Sequence, residues 1–154
     1  MKVTDDELKR IYKVFVRLFK EVGWYNLMKE KCPKPILLSL LKRCESEKDF
    51  VNHLWGTISV IAMTATGDDF HGVRASLLYL NLILSDEFKN VYYQTFNKDG
   101  LKRLIERERV YARCQQVLIR DDLKMALLDN LSEIEYNMYM DVISPDIANY
   151  EGYL

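Results

Sequence analysis

The chain is 154 residues long, 49% apolar and 29% charged, with a net charge of −1. This is the size and make-up of one globular domain that can bury a core without disulfides or metal, and it excludes a disordered chain. The near-zero net charge also argues against nucleic acid as the partner.

The first helix is signalled by a capping box: Thr4 is followed three residues later by Glu7, and Asp5 and Asp6 suit the positive end of a helix. Leu8, Ile11, Tyr12, Phe15, Leu18, Phe19 and Val22 then recur at helical spacing, and Gly23 fits a left-handed cap at the helix end. Trp24 to Lys31 reads as a short helix or turn closed by Cys32-Pro33-Lys34-Pro35, after which Ile36 to Arg43 restarts a helix. Asp49 stands where it can cap the next helix, which carries Phe50, Leu54, Trp55, Ile58, Ile61 and Ala62 on a broad face. Gly67 to Gly72 reads as a loop.

Val73 to Leu84 is apolar nearly all round, the mark of a central buried helix. Leu77, Leu80, Leu82 and Ile83 are expected inside, with Trp55 close by. Asp86 opens a helix running to Phe96, Asn97-Lys98-Asp99-Gly100 reads as a turn, and Leu101 to Ile119 and Asp122 to Met140 follow as helices. Together these predict an all-α domain of about seven or eight helices over residues 1–140, ending in an irregular acidic tail with tyrosines over 141–154.

Two segments resemble each other. Leu18 to Lys29 and Thr95 to Glu106 each run from a helix end through a glycine into an amphipathic helix, and their glycines, Gly23 and Gly100, lie 77 residues apart. That is close to twice the ~40-residue period of helical repeats. His53 to Ile61, Ser76 to Leu84 and Ala126 to Ile134 form a second similar set, resembling the long second helix of armadillo repeats. The Gly100 segment resembles the glycine-led third helix of that family. An armadillo- or HEAT-like resemblance implies a short helical stack with a concave surface for a peptide. Trp55-Gly56 also resembles the Trp-Gly pair of the Bcl-2 family's groove region, though the arginine that follows it there is Thr57 here. That resemblance implies a compact regulatory bundle binding an amphipathic helix in an apolar groove.

Catalytic chemistry has few candidates. The chain has two histidines, His53 and His71, and the one cluster to weigh for metal, Asp68-Asp69-Phe70-His71, reads more simply as a capped loop. No cysteine sits in a nucleophile signature, and Gly67 to Gly72 lacks both the strand before and the Gly-Lys-Ser/Thr after that a phosphate loop needs. The Asp5-Asp6 and Asp121-Asp122 pairs fall where helix caps fall. No catalytic, cofactor or metal residue is expected, and the chain is expected to be a non-enzymatic scaffold or adaptor.

Compartment follows from the thiols. Cys32, Cys44 and Cys114 form an odd set without CxxC spacing, which predicts reduced cysteines in the cytoplasm or nucleus. The opening MKVTDDELKR carries no apolar leader core. The richest apolar stretches, Ile36–Leu41 and Ile58–Ala65, fall short of the ~18 residues of a membrane span, so no membrane partner is expected.

Charge is distributed unevenly. Residues 98–120 hold seven Lys/Arg against three acids, whereas residues 121–154 hold eight acids against Lys124 alone. Lys102, Arg103, Arg107, Arg109 and Arg113 are therefore the expected partner-binding residues, offering a positive wall to an acidic protein segment. That segment comes from a partner or, by self-association, from the tail Glu135 to Leu154. Tyr12, Trp55, Tyr79 and Tyr92 are read as core or groove lining. Tyr136, Tyr139, Tyr150 and Tyr153 belong to the acidic end.

Overall fold

The computed structural model describes residues 3–66, 71–95, 98–117, 129 and 131–138. Eight helices lie among them: α1 (Asp5–Glu21), α2 (Tyr25–Lys31), α3 (Lys34–Lys42), α4 (Glu47–Thr66), α5 (His71–Ile83), α6 (Asp86–Thr95), α7 (Lys98–Val117) and α8 (Glu133–Met138). No strand occurs among the described residues, so the domain is all-α. No helix there is long and apolar enough to cross a membrane. The tail over 141–154 lies outside the described residues.

Helix α1 begins and ends as its sequence requires. The Thr4 hydroxyl accepts from the Glu7 amide at 3.2 Å, and the Glu7 carboxylate accepts from the Thr4 amide at 3.1 Å. At the other end Gly23 takes φ 81°, which lets the Trp24 amide reach back to the Phe19 carbonyl at 2.8 Å. This six-residue closure turns the chain sharply into α2. Helix α3 starts two residues earlier than the apolar pattern implies, with Pro35 in its first turn, where a missing amide costs nothing.

Other expected boundaries shift. His71 and Gly72, expected in a loop, are the first residues of α5. Asp49 does not cap α4; Ser46 does, its hydroxyl accepting from the Asp49 amide at 3.1 Å. Lys98 to Gly100 is not a turn but the first turn of α7. Gly100 is also unlike Gly23, having no positive φ. A Cβ on Gly100 would stand 3.2 Å from both the Glu47 carboxylate and the Tyr92 hydroxyl, which are hydrogen-bonded to each other. The glycine therefore serves close packing of α4 and α6 against the start of α7.

The core forms around α5. From Ala75 to Leu80 every residue is buried, and at about 100° per residue such a run covers the full circumference of a helix. Leu77, Leu80, Leu82 and Ile83 are all inside, as the sequence predicts, and the Trp55 ring meets Tyr79 edge-on at 5.5 Å. Helices α1, α4, α6, α7 and α8 each pack on α5. Helix α1 also reaches α2, α3 and α6. Ser85 makes the tight α5–α6 corner: its hydroxyl donates to the Leu82 carbonyl at 2.6 Å and accepts from the Phe88 amide at 3.2 Å. Tyr12, Tyr79 and Tyr92 lie in the core, and Cys44 is a buried free thiol while Cys32 is half-buried and free. Cys114, Asp68 and Asp69 lie outside the described side chains.

A charged contact also reaches into this core. Arg74 of α5 grips Glu135 of α8 through two bonds, Nε to Oε2 at 3.2 Å and Nη2 to Oε1 at 3.3 Å. Glu135 also closes a capping box, accepting from the Ser132 amide at 3.0 Å while its own amide donates to the Ser132 hydroxyl. Of the helix expected from Asp122 to Met140, residues 122–128, 130, 139 and 140 lie outside the described residues; Leu131 and Ser132 are not helical, and Ser132 caps α8. The Arg74 guanidinium stacks over Trp24 at 4.9 Å, joining the α1–α2 corner to the same cluster. Exposed pairs such as Lys42–Asp5 and Arg17–Glu87 add little by comparison.

Glu135 has a fully buried side chain and Arg74 is 12% exposed, so removing Glu135 takes the two-point counter-charge from a largely buried guanidinium. Glu135→Ala is expected to cost about 3–5 kcal/mol in urea unfolding. A loss within the ~0–1 kcal/mol of a surface pair would show that α8 is not pinned by this contact.

Candidate functional site

Helices α4 and α7 pack on opposite shoulders of α5 and leave a groove between them. Its wider part encloses about 820 Å³, with Lys48, Asn52, Arg103 and Arg107 among its lining residues. A narrower part of about 230 Å³ continues along Trp55, Tyr79 and Tyr111. Val51, Asn52, Arg107 and Glu108 line both parts, so the two form one channel.

Spacing explains the two walls. Arg103, Arg107 and Tyr111 recur every four residues and stand on one face of α7. Lys48, Val51, Asn52 and Trp55 make the corresponding face of α4. Tyr79 of α5 supplies the floor, its hydroxyl donating to the Val51 carbonyl at 3.4 Å. Burial holds that phenol protonated far above its ordinary range. Trp55 stands between two aromatic edges, Tyr79 at 5.5 Å and Tyr111 at 5.6 Å.

The five expected basic residues do not share one surface. Arg103 and Arg107 line the groove and are exposed, while Lys102 is exposed but does not line it. Arg109 is half-buried, with its Nε enclosed and without a hydrogen-bond partner among the described residues. The side chain of Arg113 lies outside the described residues. The wheel arithmetic separates the same sets, because Lys102 and Arg109 fall on a different face of α7 from Arg103 and Arg107. Of the expected acidic counterpart, Glu135 to Leu154, residues 139–154 lie outside the described residues. Glu135 is committed to Arg74 and is not available to a basic wall, and only Tyr136 of the four terminal tyrosines is described, exposed on α8.

Groove acids are already engaged. Glu47 accepts from Tyr92, and Glu108 pairs with Arg107 at 3.3 Å. Lys48 and Arg103 make no ion pair among the described residues, so the open groove presents an excess of positive charge. Among the described residues no three His, Cys, Asp or Glu side chains come together as a metal site requires. Lys48 and Tyr111 were not singled out by the sequence pattern; Tyr111 follows Arg107 by one helical turn, which is the signal that places it.

Comparison with known protein families, curated proteins and solved structures finds no match to this chain.

Glu108 carries a testable consequence. Burial pushes its carboxyl up, and the Arg107 guanidinium offsets this only in part. A carboxyl whose native value exceeds its unfolded value costs stability wherever both states are ionised. The cost fades as pH falls through the native value, because the folded protein takes up its proton first. It vanishes below the ordinary value of about 4.3. Glu108→Gln should therefore raise the thermal midpoint at pH 7, with the gain disappearing towards pH 4. An unchanged or lower midpoint at pH 7 would mean that the Arg107 pair outweighs burial.

Proposed function

We propose that this chain is a non-enzymatic protein-interaction module that receives an acidic, aromatic-containing segment of another protein in the α4–α7 groove. The observation that carries the reading is the pairing of two walls. Arg103 and Lys48 offer unpaired cations to carboxylates, and Trp55 and Tyr111, backed by the buried Tyr79, offer aromatic surface to an apolar side chain beside them. Recognition of this kind divides the labour: aromatic burial supplies most of the affinity, and charge sets approach and orientation.

The packing supports a compact bundle for the scaffold in preference to an elongated armadillo-like stack. Repeats in a stack touch only their neighbours in sequence. Here α1 packs on α5 and α6, and α5 is enclosed by helices drawn from both ends of the chain. A rigid, enclosed α5 holds the two groove walls at a set separation. Among the described residues Cys32 and Cys44 are free thiols, which favours a reducing compartment.

The test reverses the charge on one wall. Arg103→Glu with Arg107→Glu should leave folding intact and reduce capture of the wild-type partner from cell extract by about ten-fold, the equivalent of ~1.4 kcal/mol. Capture by the wild-type domain should also weaken as salt rises, because exposed charges are screened over about 8–10 Å at ordinary ionic strength. An unchanged set of captured proteins, at unchanged yield and with intact folding, would make this an ordinary solvated face.

A further inference from the structure

Gly56 sits in the middle of α4, where a glycine costs roughly 1 kcal/mol relative to alanine. At Gly23 and Gly100 the structure supplies a reason for the glycine. Gly56 has none: its φ is not positive, and a Cβ built on it meets nothing within 4 Å. The space above it is a second groove, of about 370 Å³, between α3 and α4. Ile36 and Leu40 of α3 form one side, and Gly56 and Val60 of α4 form the other. Ile36 is 62% exposed and Val60 51%, and Met63, on the same face of α4 one turn beyond, is 52% exposed. Three of the large apolar residues that this protein leaves in water therefore gather on one surface, although single exposed apolar residues are usually scattered.

We infer that the α3–α4 groove is a second docking site, filled by an amphipathic helix of a partner protein that lays a large apolar side chain over Gly56 and a carboxylate against Lys31. A helix is the form that fits. Both walls are helices whose backbone amides and carbonyls are already paired, so an extended strand would find no backbone partners there, whereas a helix satisfies its own. The charge of the lining chooses the partner's chemistry. Lys31 is exposed, His53 stands nearby, and no carboxylate lines the groove among the described residues. A second copy of this chain, docked face to face, would bring Lys31 to a groove lining that, among the described residues, holds no acid. A partner with glutamate or aspartate at the end of its apolar stripe complements it. The missing Cβ of Gly56 lets the incoming helix approach α4 closely, which explains why a helix-weakening residue stands at a position with open space. Asn52 borders both this groove and the α4–α7 groove, so the two grooves flank α4.

A yeast-displayed library of amphipathic helical peptides, with apolar residues varied at i, i+4 and i+7 and acidic or basic ends, is selected against the full chain. Clones with acidic ends are expected to be enriched. Gly56→Leu and Val60→Asp should each weaken them about ten-fold or more, a change of ~1.4 kcal/mol. Lys31→Glu should shift the preference towards basic ends. Gly56→Ala should weaken binding while raising the thermal midpoint by about 2–4 °C, since the alanine favours the helix and meets nothing. Arg103→Glu with Arg107→Glu should leave these clones unaffected, so this site and the α4–α7 groove stand or fall separately. The inference is overturned if no clone is enriched, if enriched clones ignore the Gly56 and Val60 variants, if Gly56→Ala lowers the midpoint, or if light scattering shows a dimer that Val60→Asp abolishes.

Discussion

A helix that is apolar on every side cannot be stable until every side is covered, and α5 sets that requirement for the whole chain. With Ala75 through Leu80 all buried, no single neighbour can shield it. The domain meets the demand by bringing α1, α4, α6, α7 and α8 onto one axis. Helix α1, strongly amphipathic, needs cover along one face, and α5 supplies part of it. The groove between α4 and α7 follows as well: two helices resting on different shoulders of a third leave a channel above it, floored here by Tyr79.

Hydrophobic burial explains that the helices cover α5 and is non-directional about where they sit. Directional contacts supply the rest. Arg74 fixes α8 by a two-point grip on Glu135, and the same glutamate caps the helix it belongs to. Gly100, with Glu47 and Tyr92 packed against it, fixes the start of α7 against α4 and α6. These contacts determine which residues of α7 face the groove. A rotation of α7 by one residue would carry Arg103 and Arg107 away from Lys48 and Trp55 and bring a different set of side chains to the channel.

Much of the local structure was legible in the sequence because it is written in short-range signals. The Thr4–Glu7 capping box, the Gly23 turn and the all-apolar character of α5 each act within a few residues of where they are read. The candidate site was legible only in part. Sequence shows that residues 98–120 are basic, and a helical wheel sorts those charges into faces. It does not show which face meets a neighbour, and so Arg109, counted with the exposed set, proves half-buried. Glu135 was hidden for the same reason: its partner Arg74 lies 61 residues away, a separation that no local pattern reports. Gly56 was noticed beside Trp55, but the empty space above it exists only once α3 and α4 are placed.

Amide hydrogen exchange tests the dependence on α5 most directly. If α5 is the element that all the others cover, its amides can exchange only when the domain unfolds as a whole. Residues Ala75 to Leu80 should then be the slowest to exchange, and their opening free energy should equal the stability measured by urea unfolding. Exchange of these amides through local opening, while those of α1 or α7 stay protected, would show that the core closes around another helix.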